Sequence, residues 1–510
     1  MGPTMALLMG IDVGTTRVKT LLFDLDSRIV GQASQDCSLY QVGENQFEQD
    51  VEDLWRAVLS TAREAVAQAG PGAQVLGLSL ASQAGALALV DAEGRSLRRA
   101  FAWMDGRGAT VLKDLQAALD PEEVRRFSGW RLSGGSVLAH IEWLRRFEPP
   151  NYEAARYFLQ VNDFIIYRLV GQPYQDPSNA GYSTLYNIME SCWEPRALAA
   201  VGITAGRLPP VAPSGQRVGL LRADVAREMG LSGEVWVMNG AHDQYAAALG
   251  AGVIEPGHVL LSCGTAWVVL VVSAEPAWGP GPAQMAVSRH AVPDRWGALR
   301  SMGPVGTTVE WYVDTVLAPH GGHRPGTRCQ AFEFMNQQLP QAPIGARGLF
   351  FFPLGRGGAR TKGGRGALWG LTTSHGQADI GRAVLEGITF ELRQLIEGMR
   401  SVPIPIASLV MVGGAARSSC WPQIVADVTG LPVTVPAVQE AGARGAALLA
   451  GIGLGLLSPG EGLQEGCGVD QTFEPQREDA RAYADLYPRY QAAADAYIRL
   501  EAFHGINDPQ

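Results

Sequence analysis

The chain has 510 residues, 46% of them hydrophobic and 18% charged, with a formal net charge of −9 at pH 7. That length exceeds one ordinary core and asks for two large domains. The acidic balance excludes a general attraction to nucleic acid or to an anionic membrane surface, so an anionic ligand needs a local pocket. The six cysteines, at 37, 192, 263, 329, 420 and 467, lie far apart and form no CxxC pair. They suggest neither a zinc site nor a disulfide framework, and fit a reducing compartment.

The start, "MGPTMALLMGID", has no basic segment followed by a long apolar one, and "VLLSCGTAWVVLVV" is too short to span a bilayer. A cytoplasmic protein is expected. Along the chain, "LLMGIDV" and "VKTLLFDL" read as strands around a Gly-Thr-Thr turn, "VEDLWRAVLSTAREAVAQA" reads as a helix, and "VLGLSLAS" and "ALALVD" read as further strands. Strand runs alternating with helical periods predict an α/β fold with a largely parallel sheet covered by helices. Gly and Pro clusters break the chain at "LPPVAPSGQRVG" and "GVIEPGHV", and the second is the expected boundary between a domain over 1–254 and one over 255–510. Residues 259–272 then repeat the opening plan of strand, Gly-Thr turn and strand. Two copies of one hairpin, each opening a half, predict two related domains facing each other across a cleft.

The chemistry is read from the turns. A turn of Gly14, Thr15 and Thr16 offers backbone N–H groups and two hydroxyls to an anion, and phosphate suits it. Asp12, just before it, is a candidate Mg²⁺ carboxylate, direct or through water. Gly264 and Thr265 form the opposing turn, so that a triphosphate is gripped from both halves. In "LVMVGGAARSSCWPQIVADVTGLPVTVP" a strand runs into Gly413-Gly414 and then a helix expected to begin near Ser418 or Ser419, a junction suited to an adenine nucleotide. Asp243, in "VWVMNGAHDQYAAALGAG", is expected to cap a small-residue helix. From there it can take a proton from a hydroxyl attacking a γ-phosphate. Gln83, Trp103, Asp105 and Arg107 offer paired donors and acceptors around an indole, which suits a sugar. A loop salt bridge accounts equally for Asp105 and Arg107.

These residues bring a resemblance with them. The chain resembles the FGGY carbohydrate kinases, a branch of the actin-like ATPase superfamily, and within them looks most like the xylulokinases. The likeness runs in order through "GIDVGTT", "WMDGR", "QVNDFIIYRLVG", "QDPSNAGYSTLYN", "LPPVAPSGQRVG", "NGAHDQYAAALGAGVIEPG", "SCGTAW", "GALWGLTTSHGQADIGRAVLEGITFELR" and "VGGAARSSCWPQIVADVTGLPV". It implies two actin-like (ribonuclease H-like) domains with ATP and Mg²⁺ in the cleft, and γ-phosphate transfer to a sugar or polyol hydroxyl. By motif position it implies Asp243 as catalytic base, Asp12 with the metal, and Thr15, Thr16, Gly264 and Thr265 on the phosphates. Gly306 and Glu310, in "GPVGTTVEW", fall at a nucleotide-contacting helix start, and Gly414 and Ser418 at the adenosine site. Asp243 joins Gln83, Trp103, Asp105 and Arg107 around the sugar.

Three departures bear on the sugar. The xylulokinase Gln-Met-His-Gly run is Gln83-Ala84-Gly85-Ala86 here, the usual Lys before Trp143 is His140, and the Gly-Glu-Arg-Thr-Pro segment is replaced by "LGRGGARTKGG". Lack of an Arg-Glu pair near Gln83 argues against glycerol. The leading expectation is a ketose kinase, most similar to those acting on D-xylulose. The alternatives are another pentulose, a hexulose, a polyol or an aldonate, and then a non-catalytic nucleotide-gated binding protein. A peptide-binding domain after the ATPase core is not expected, since "EAGARGAALLAGIGLG" reads as closing helices of the second domain. A homodimer is left open.

Overall fold

A computed structural model describes residues 5–70, 72–278, 285–317, 328–353, 365–400, 404, 406–438, 440–458, 460 and 468–503. The segment "LGRGGARTKGG", 354–364, lies outside the described residues, as does Cys467.

Each half is organised around one mixed sheet. In the first, Ile29–Asp36, Arg17–Asp24 and Met5–Val13 run antiparallel to their neighbours, Ala73–Ser82 adds parallel to Met5–Val13, and Trp236–Met238 adds parallel to that. The second half repeats the order. Trp296–Gly303, Trp267–Ser273 and His258–Cys263 are antiparallel, then Ser408–Gly413 and Val433–Pro436 follow in parallel. The repeat expected from the two hairpins is therefore a repeat of whole sheets. The expectation of a largely parallel sheet is corrected: each hairpin's strands pair antiparallel, because a tight turn cannot reverse a chain into a parallel partner.

The helix predicted from periodicity spans Val51–Ala69 and buries Leu54, Trp55, Val58 and Ala62 in the first core. Asp50 caps it, its carboxylate accepting from the backbone N–H of Glu52 at 2.9 Å, with Glu52 and Asp53 in the positive first turn. "ALALVD" goes elsewhere: Leu87–Val90 joins a small antiparallel sheet with Leu39–Gly43, Gln46–Gln49, Ala100–Phe101 and Tyr157–Gln160. That sheet carries the loop holding Trp103, Asp105 and Arg107.

Helix Ala441–Leu454 does more than close the second half. Ala443, Ala447 and Ala450 pack with Leu8, Leu21 and Phe23 of the first half. A Cβ on Gly10 would stand 1.8 Å from the Ala443 carbonyl oxygen, and one on Gly445 would stand 1.8 Å from that of Ala246. Glycine at these two places lets the helix touch the first strand and helix Asp243–Gly250 backbone to backbone. The buried Arg444 fixes the crossing, its Nη1 donating to the Gly250 carbonyl at 2.6 Å. Among the described residues, no helix is long and apolar enough to cross a membrane.

Candidate active site

The first hairpin delivers Asp12 and the Gly14–Thr16 turn to the ends of the parallel strands, the usual ligand side of an open α/β sheet. Gly14 N–H donates to the Arg17 carbonyl at 3.0 Å, closing the turn. Thr15 is its hub. Its hydroxyl donates to Gln83 Oε1 at 2.8 Å and accepts from Trp103 Nε1 at 3.0 Å, while its carbonyl accepts from Gln49 Nε2 at 2.7 Å. The structure thus brings Gln83 and Trp103 to the turn itself. Gln83 is buried and its amide oxygen is taken, so it braces the turn, a use the sequence reading did not foresee; Trp103 stays 39% exposed. The one hydroxyl proton of Thr15 is likewise committed, which leaves Thr16 as the exposed hydroxyl of the turn.

Asp12 sits where the two halves meet. Lys19 faces it across the hairpin and pairs with Glu440, the residue preceding helix Ala441–Leu454. Burial, and then the neighbouring Asp243 carboxylate, push the Asp12 carboxyl up to about 7; Lys19 opposes the shift and Glu440 adds to it. A Cβ on Gly442 would lie 2.8 Å from Asp12 Oδ2, so any side chain there displaces this carboxylate.

Asp243 is the first residue of helix Asp243–Gly250, and His242 precedes it at the cap. The expectation that Asp243 caps the helix is corrected by one residue. Its carboxylate is therefore not used on the helix's own N–H groups. His242 Nε2 stands 3.1 Å from Asp243 Oδ1, and the Asp243 side chain remains 31% exposed.

In the second half one cavity of about 540 Å³ collects six predicted residues: Gly264, Thr265, Gly306, Glu310, Gly414 and Ser418. Four separated segments build it. Gly306 N–H donates to the Thr265 carbonyl at 2.9 Å, and a Cβ there would meet the Gly264 oxygen at 2.5 Å, so helix Val305–Tyr312 starts flush against the turn. Gly413, at φ +93°, bends the strand end past the Cys263 carbonyl, where a Cβ would lie 2.6 Å away. The expected helix after the glycines is first a 3₁₀ turn, Gly414–Arg417, and then Trp421–Thr429. Ser418 lies between them, its hydroxyl donating to Asn336 Oδ1 at 2.6 Å. Phe332, Met335, Asn336 and Arg417 also line the cavity and were not foreseen. Arg417 lay inside a quoted motif; the other three come from helix Arg328–Gln338, whose sequence carries no glycine signal.

Asp105 and Arg107 belong to a buried ion-pair network. Asp105 is fully buried, accepting from Phe47 N–H at 2.8 Å and from the Arg107 guanidinium, which also binds Glu48 at 2.8 Å. The Arg107 guanidinium lies over the Phe101 ring at 4.6 Å. His140, stacked on Phe101 at 4.7 Å, sits 3.1 Å from the Asp105 carbonyl. The hydrogen bonds from His140 and Arg107 outweigh burial and hold the Asp105 carboxyl well below the usual carboxylate range. Asp105 and Arg107, expected at the sugar, have their charges satisfied internally, and they shape the loop that presents Trp103.

Paired mixed sheets of this order, with a glycine-lined cavity in the second half, match the actin-like ATPase fold. The chain belongs to the FGGY family of carbohydrate kinases: the N-terminal domain of that family matches residues 7–250 and the C-terminal domain residues 259–454. It is 28% identical over 492 residues to a xylulose kinase of Staphylococcus epidermidis, covering 95% of this chain and 96% of that one. It is 28% identical over 519 residues to the autoinducer-2 kinase of Escherichia coli K12, covering 98% and 96%. The crystal structure of xylulose kinase from Rhodospirillum rubrum superposes with a TM-score of 0.87 at 25% identity, covering 98% of this chain and 99% of that one.

Proposed function

We propose that this carbohydrate kinase transfers the γ-phosphate of Mg·ATP to a hydroxyl of a ketose, with D-xylulose as the leading acceptor, in the cytoplasm. The observation that carries the reading is the cavity formed by Gly264, Thr265, Gly306, Glu310, Gly414 and Ser418. Its volume suits an adenine nucleotide, and its residues come from three separate motifs. Adenosine lies along Gly414 and Ser418, and the phosphates run past Gly264 and Thr265 toward the Gly14–Thr16 turn. The acceptor lies between Trp103 and Asp243.

Asp243 is the base. As the acceptor oxygen forms its bond to the γ-phosphorus and the bond to the ADP oxygen breaks, the hydroxyl proton passes to the Asp243 carboxylate. Placement at the helix start leaves that carboxylate free of capping duty and partly exposed. Positioning supplies much of the rate, and closing the halves around the helix Ala441–Leu454 junction excludes water.

Asp12 fits a role beside magnesium, because a carboxyl raised by burial and by Asp243 is one that a divalent cation relieves. Among the described residues, no cluster of three or more His, Cys, Asp or Glu side chains could hold a metal unaided. The ion then depends on phosphate and water oxygens, with Asp12 direct or through water. When bound, magnesium neutralises charge on the phosphates.

Equal identity to a xylulose kinase and to an autoinducer-2 kinase favours a second reading, the same transfer to a different small polyhydroxylated acceptor. ADP formation across pentuloses, hexuloses, polyols and aldonates tests both. Acceleration by D-xylulose supports the first reading, acceleration by another acceptor alone supports the second, and acceleration by none contradicts both.

A further inference from the structure

Gly85 follows the strand Ala73–Ser82 by three residues, and the space beside it is filled. Its φ is +82°, and a Cβ there would lie 2.2 Å from Cε1 of Tyr182, so the tyrosine ring rests directly on the Gly85 backbone. Gln160 locks the two together: its Oε1 accepts from Gly85 N–H at 2.6 Å and its Nε2 donates to the Asn179 carbonyl at 2.9 Å, in the helix Pro177–Tyr182. The Tyr182 ring lies 4.6 Å from Trp130 and 6.2 Å from His242, which itself adjoins Asp243. Burial, and then the Asp243 carboxylate, push the Tyr182 hydroxyl up to about 12. Trp130 Nε1 donates to Ser288 Oγ at 3.3 Å, so its polar edge is turned to the protein. Tyr182 and Trp130 are both half-buried.

From this geometry we infer that Tyr182, backed by Trp130, is the specificity-determining wall of the acceptor site. It receives the C–H face of the acceptor carbon chain beside Asp243. The inference rests on the proposed kinase reading and deepens it. Gly85 is the complement: its lack of a side chain leaves room for the ring. An aromatic plate binds apolar C–H surface without demanding a particular hydroxyl pattern. The site therefore tolerates loss of an acceptor hydroxyl on that side, and deoxyketoses are substrates.

The test uses the full chain with D-xylulose, or the best acceptor of the panel, and its deoxy analogue that lacks the terminal hydroxyl at the end of the chain away from the phosphorylated one. Tyr182→Ala is expected to raise acceptor KM at least tenfold with ATP KM within twofold of wild type, while Tyr182→Phe stays within threefold. Tyr182→Leu keeps apolar bulk without a ring and is expected to match alanine; it decides the point if the alanine variant does not fold. Acceptor KM within twofold of wild type in the leucine variant, or a deoxy analogue at least a hundredfold worse than its parent, overturns the aromatic wall and leaves the kinase reading standing. Failure of wild type to form ADP with any acceptor overturns both.

Discussion

Gly442 lies against Asp12 so closely that a Cβ would come within 2.8 Å of Oδ2, although the glycine belongs to the second half of the chain and the aspartate to the first. Inside a helix, alanine is ordinarily better than glycine by about 1 kcal/mol. Contact with Asp12 reverses that sign. Gly442→Ala is expected to lower the melting temperature and to cut turnover at least tenfold, as read by thermal unfolding and ADP formation. A variant more stable than wild type with full turnover contradicts the close approach.

The carboxyl of Asp12, pushed up to about 7 by burial and Asp243, binds its proton more tightly in the native chain than in the unfolded one. With an unfolded value of about 4, that proton favours the native state at low pH, and its contribution disappears as pH rises through about 7. Nucleotide-free protein is therefore expected to lose stability between pH 5.5 and 8 by more than Asp12→Asn does. Urea midpoints at the two pH values measure the difference, and equal slopes for both proteins contradict it.

Gln83 is buried with its amide oxygen accepting from Thr15, so Gln83→Leu leaves the Thr15 hydroxyl without that acceptor. The expected cost is about 1–3 kcal/mol of stability, checked by chemical denaturation. A rise in ATP KM should accompany it, because the turn that loses its brace is the proposed phosphate turn. A neutral substitution on both counts contradicts the bracing role.

A Cβ on Gly306 would meet the Gly264 carbonyl oxygen at 2.5 Å, which must displace the turn or the helix start. Gly306→Ala is expected to raise ATP KM at least tenfold while acceptor KM changes less than threefold. Steady-state kinetics with each substrate varied in turn distinguish this from a general loss of fold.

The hairpins and glycine junctions were legible in the sequence because their signals are local: Gly264-Thr265 and Gly413-Gly414 each announce a turn at a strand end. Collinear motifs then joined them into one cavity. What escaped depends on tertiary approach. No spacing announces that Arg107 turns inward to Glu48 and Asp105, that helix Ala441–Leu454 crosses to the first strand, or that Asn336 reaches Ser418. Tyr182 stood within a quoted motif, yet only its packing on Gly85 gives it a use. The cap of helix Asp243–Gly250 was missed by one residue, the ordinary uncertainty of a helix end.

The central claim is that Asp243 takes the acceptor proton, and Asp243→Asn tests it most directly because asparagine keeps the shape and removes the base. Turnover with the best acceptor, measured beside acceptor and ATP binding by calorimetry, is expected to fall at least a hundredfold while both affinities stay within about threefold. Turnover close to wild type in the folded variant contradicts the account.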